Sequence, residues 1–72
     1  DWLSADWYKI EWNKADYSSY LIWINFQDWA STSRTAYSNN FDTSSYLKDW
    51  VNKVCVYWWN MESKSSCINI IK

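Results

Sequence analysis

Not one of the 72 residues is Gly or Pro. Gly is the residue that enters left-handed backbone at little steric cost, so hairpin turns, bulges and helix C-caps lose their usual occupant. Pro pre-sets turns and stops helices, and that punctuation is missing too. Collagen-like chains and Pro/Gly linkers are excluded. So are the Gly loops that bring backbone close to nucleotide phosphates. On turn chemistry, a chain of this kind favours helices joined by polar loops over hairpins.

The residues that are present argue the other way. Trp, Tyr, Phe, Ile, Val and Thr total 28, against 18 for Ala, Leu, Glu, Lys, Gln, Arg and Met. Propensity therefore leans towards strands. Periodicity decides the reading. Tyr46, Leu47, Trp50, Val51, Val54, Cys55 and Trp58 follow helical spacing over residues 43–59, with Lys48, Asp49, Asn52 and Lys53 on the other side. Asp42 or Thr43 supplies an N-cap, and Asp49–Lys53 is a favourable i,i+4 pair.

Residues 4–15 also accept a helix, capped by Ser4 and supported by Asp6–Lys9 and Glu11–Lys14. The same stretch alternates as a strand would, Tyr8, Ile10 and Trp12 against Lys9, Glu11 and Asn13. The apolar run 20–26 (YLIWINF) reads equally as strand or helix, and Trp29 and Ala30 extend a stripe from Ile22 and Phe26. Residues 31–42 are rich in Ser, Thr and Asn and read as a loop, with Asn39-Asn40 able to supply left-handed backbone. CINII near the C-terminus reads as a short strand or an extended tail. The expectation is one domain over 1–72, mainly α, with about three helices (4–15, 18–30 and 43–59) and a polar loop at 31–42. A small α+β or all-β domain is the alternative.

Much chemistry is excluded. There is no His, so Ser/His and Cys/His catalysis cannot be built. Only two Glu are present, and the six Asp are scattered, four of them directly before Trp. Desolvation by such a Trp would raise the pKa of Asp6, Asp28 or Asp49. Zinc would need four ligands without His or a CxxC pair, and 38–43 lacks the Gly and Glu of a calcium loop. No catalysis, metal or cofactor is expected. Net charge is −1 with a single Arg, Arg34, which gives no basic face for nucleic acid. The apolar run 20–26 is far shorter than the ~20 residues that span a bilayer. Cys55 and Cys67 are the candidate disulfide, and an oxidised bridge would favour a secreted or extracellular compartment.

The aromatics remain. A domain this small buries only about 60% of its unfolded surface, so 8 Trp, 6 Tyr and 2 Phe exceed what a core can hide. Trp58, Trp59, Tyr57, Trp2, Trp12 and Trp29 are the candidate binding anchors. Exposed Trp and Tyr anchor protein interfaces, so the first reading is a non-catalytic interaction or structural subunit with a protein partner or self-association. They also stack on flat ligand faces, sugars included, so the alternative is a small carbohydrate-binding module. Gln27-x-Trp29 resembles, in a single copy, the short motif of trefoil lectins.

Overall fold

The computed structural model describes residues 3–13, 19–57 and 65–72. They form seven strands: β1 (Leu3–Asp6), β2 (Lys9–Trp12), β3 (Tyr20–Phe26), β4 (Ser31–Ala36), β5 (Asn40–Asp42), β6 (Val51–Tyr57) and β7 (Ser65–Ile71). The first sheet has the order β1-β2-β5 and the second β4-β3-β6-β7, and every pairing is antiparallel. The all-β alternative therefore holds, and the mainly helical expectation is corrected throughout the described residues. None of those residues lies in a helix long and apolar enough to cross a membrane.

The reasons for the correction are local. Of the expected helix 4–15, the described residues 4–13 lie in or beside the β1–β2 hairpin, with Asp6 opposite Lys9 across a two-residue loop, and 14–15 fall outside the described residues. Such a loop brings i and i+3 face to face, which is also the helical spacing. Of the expected helix 18–30, residues 20–30 are β3 and its turn into β4, and residue 18 falls outside the described residues. The expected loop at 31–42 holds two strands, β4 and β5, whose Ser, Thr and Asn side chains suit edge positions. Within 43–59, Asp42 Oδ1 accepts from the Ser44 N–H and Tyr46 N–H bonds Thr43 C=O, but the turn ends there. Beyond it, Asn52, Val54 and Val56 point inward as alternate residues of β6.

One core joins the two sheets. Ile10 and Trp12 enter it from the first sheet, and Tyr20, Ile22, Ile24, Ala36, Val54, Val56 and Ile70 from the second. Leu47, from the connection between β5 and β6, closes it. Trp12 meets Tyr20 edge to face at 5.3 Å. Phe41 and Tyr46 stack at 5.7 Å, and Arg34 lies 4.6 Å from the Tyr46 ring centre.

Asn52 is the polar tie in this core. It is fully buried, and its Nδ2 donates to the carbonyls of Lys48 (2.9 Å), Trp50 (3.0 Å) and Ile70 (3.2 Å). Its Oδ1 accepts from Lys48 N–H at 3.0 Å. One side chain thus supplies partners for both backbone groups of Lys48 and adds a second donor to Trp50 C=O, which also accepts from Lys72 N–H.

The disulfide expected between Cys55 and Cys67 is present and joins directly opposed residues of β6 and β7, Cα atoms 4.0 Å apart. Trp50 and Lys72 exchange both backbone hydrogen bonds. Counting along the ladder from that pair, Cys55 and Cys67 fall on a non-hydrogen-bonded pair, where the strands approach most closely.

Candidate functional site

With no Gly, some other residue must fill each left-handed backbone position. Among the described residues that role falls to Trp7 (φ 58°), Trp29 (φ 69°) and Trp50 (φ 73°), and not to the expected Asn39-Asn40. Each follows an Asp. Trp7 is the first residue of the two-residue β1–β2 loop, the place where a II′ turn takes Gly. Trp29 is the third of the four residues between β3 and β4: its N–H bonds Phe26 C=O at 3.3 Å, and Phe26 N–H bonds Ala30 C=O at 2.9 Å. That is a turn closed by a left-handed residue, again a Gly position. Trp50 leads into β6.

A side chain at such a position costs roughly 1–2 kcal/mol against right-handed backbone. Burial does not offset that cost here, because Trp7, Trp29 and Trp50 are 84%, 97% and 70% exposed. Three indoles are therefore held in water by the backbone geometry least suited to carrying them.

Trp29 borders a groove of about 410 Å³ on the second sheet, lined also by Asn25, Phe26, Gln27, Ala30, Val51 and Lys53. The groove lies on the face opposite the core. Along β3 the residues Tyr20, Ile22 and Ile24 face inward, so Leu21, Trp23 and Asn25 face outward. Register then places Ser31, Asn25, Lys53 and Asn69 in one row across all four strands. The next row is Ser33, Trp23, Cys55 and Cys67. Beyond Lys53 on the other side, Val51 is opposed to Ile71. A row of hydrogen-bonding groups thus runs between two apolar ones.

Two interactions fix this geometry. Trp23 Nε1 donates to Asn25 Oδ1 at 3.0 Å, which orients the carboxamide by its oxygen. Lys48 Nζ bonds Asp28 Oδ2 at 3.1 Å and sits 4.6 Å from the Phe26 ring centre, tying the β3–β4 loop to the β5–β6 connection. Asp28 Oδ1 also accepts from Ala30 N–H at 3.2 Å. The hydrogen bond from Lys48, and then that from Ala30, hold the Asp28 carboxyl below its ordinary pKa. This reverses the expectation that a neighbouring Trp would raise it: the carboxylate stands in water beside a cation, and Trp29 points away from burial. Asp42 is lowered as well, chiefly by the Ser44 N–H.

The other sequence-predicted anchors fall elsewhere. Trp12 is fully buried in the core, closed off from any ligand, and its Nε1 has no partner among the described residues. Tyr57 is half-buried at the end of β6. Trp2, Trp58 and Trp59 lie outside the described residues. Trp7 and Trp50, which the aromatic pattern did not single out as anchors, are exposed instead. The signal for them was the recurring Asp-Trp dipeptide.

The groove offers one flat exposed ring, two carboxamides, one ammonium group and an apolar floor. None of its lining residues is a carboxylate, and among the described residues no three acidic or Cys side chains converge as metal ligands. Together fold and groove define a small two-sheet β domain with an aromatic-edged surface cleft. No protein-family model, curated protein sequence or solved structure matches this chain.

Proposed function

We propose that this chain is a small, non-catalytic carbohydrate-binding domain, with Trp29 as its stacking platform. The observation that carries the reading is the Trp29 indole, 97% exposed at a left-handed turn position beside a groove containing Asn25, Gln27 and Lys53. A sugar ring presents an apolar face of C–H groups and a rim of hydroxyls. An exposed indole matches the face, and carboxamides match the rim because each both donates and accepts. Gln27 and Trp29 of the Gln-x-Trp sequence both border the groove.

The test is calorimetric titration with a broad panel of neutral and charged oligosaccharides, on the intact chain and on Trp29→Ala. Binding to one class, weakened at least tenfold by the substitution, supports the reading. Flat titrations across the panel remove it.

A second reading has its own observation. Trp7 and Trp50 do not line the groove. Exposed indoles away from a ligand cleft suit contacts with a protein partner or a second copy. Sedimentation from micromolar to millimolar concentration tests self-association, and an unchanged monomer profile counts against that form of it.

A further inference from the structure

We propose that the groove selects oligosaccharides bearing a carboxylate, that is uronate sugars, with Lys53 as the counter-charge; this rests on the carbohydrate reading above. The argument is charge complementarity at a defined place. Register and alternation put alternate residues of β4, β3, β6 and β7 on the outer face of the second sheet. Lys53 is the single charged residue among them.

The nearest acid in sequence to the stacking ring is Asp28, and its carboxylate is already engaged by Lys48 and Ala30. Lys53 has no such partner in the ion pairs of the described residues. It stands at the middle of the polar row, between Asn25 on β3 and Asn69 on β7. Asn25 is held by its oxygen to Trp23, so its Nδ2 donors remain for the groove. A planar carboxylate has two oxygens that accept from two neighbouring donors, here the Lys53 ammonium and the Asn25 amide. A sulfate ester carries more oxygens than this pair of donors serves. An uncharged sugar leaves the ammonium group without a counter-charge. A single exposed charge pair is worth about 1.5- to fivefold in affinity, and salt weakens it.

The test pairs each uronate with its own neutral twin. Short oligomers of galacturonate, glucuronate and mannuronate are titrated against the intact chain beside their methyl esters, which keep the ring and linkage and remove the charge. A sulfated galactan oligomer forms a further arm. The expected result is an acid-to-ester affinity ratio of about 1.5 to five for at least one pair. That ratio should shrink in 0.5 M salt, collapse to about one in Lys53→Gln, and persist in Lys53→Arg. Thermal melting of both variants establishes that they are folded.

Equal binding of acid and ester overturns the inference and leaves the carbohydrate reading standing. A preference that survives Lys53→Gln overturns the role of Lys53. Sulfated oligomers binding as tightly as uronates overturn the selection for carboxylate. Failure of every saccharide, neutral or charged, overturns the carbohydrate reading and this inference with it.

Discussion

Replacing Trp29 by Gly should make the domain more stable and less able to bind. At φ 69° the native side chain sits in left-handed backbone, where an L-residue is disfavoured by roughly 1–2 kcal/mol. Gly removes that penalty but gives the unfolded chain more freedom, at a cost of about 0.5–1 kcal/mol. Lost packing adds almost nothing, because the residue is 97% exposed. The backbone bonds of the loop, Trp29 N–H to Phe26 C=O and Phe26 N–H to Ala30 C=O, do not depend on the side chain. The net gain is therefore about 0–1.5 kcal/mol, centred near 0.75. At that centre Tm rises by roughly 3–6 °C in a domain of this size. Urea denaturation monitored by circular dichroism measures it, with a shift in midpoint at constant m. If Trp29→Gly instead lowers stability by more than 1 kcal/mol, the indole is holding the β3–β4 loop together. The statement that packing does not offset the left-handed backbone at Trp29 would then be refuted.

The other predictions concern the scaffold. Asn52→Ala removes the side-chain partners of Lys48 N–H and C=O, while Trp50 C=O keeps its bond from Lys72 N–H, and at about 1 kcal/mol per lost Lys48 bond with added desolvation it should cost about 2–4 kcal/mol by urea titration. Replacing both Cys55 and Cys67 by Ser frees a loop with sequence separation 12, for an expected loss of about 3 kcal/mol read as a fall in Tm. Asp28 has its folded-state pKa below the ordinary 3.8, so its contribution is present above the unfolded value and is lost as pH falls through the folded one. Asp28→Asn should therefore flatten the decline in Tm below about pH 4, and an unchanged acid limb would show that the Lys48 contact contributes nothing.

Parts of this architecture were legible in the residues. The alternation of Ile10 and Trp12 with Lys9 and Glu11 is the burial pattern of β2. The alternation in CINII belongs to β7. Cys55 and Cys67 stand out by count as the candidate disulfide, but only their opposed positions on β6 and β7 decide that they pair. What misled was spacing shared by two structures. Asp6 and Lys9 are three apart, as in a helical pair, because a two-residue loop separates them. Tyr46 through Trp58 kept helical spacing, but the β-branched Val51, Val54 and Val56 lie on β6 beside β3. The polar run 31–42 concealed β4 and β5, since edge strands need little apolar surface. The site was harder still. Trp29 is among the anchor candidates in the sequence, whereas helical spacing puts Lys53 on a solvated face and Asn25 falls inside an apolar run.

The absence of Gly did fix one thing in advance: any left-handed position had to be filled by a residue with a side chain. The excess of aromatic rings likewise required that some lie outside the core. Which residues meet those demands depended on the tertiary structure. Trp12 and Trp29 are the same amino acid, each preceded by an acid, yet one is fully buried and the other 97% exposed. Their fates were set by pairings between distant segments, β2 with β5 and β3 with β6. A strand buries its apolar face only when another sheet covers it, and that partner is supplied by chain folding from elsewhere in the sequence.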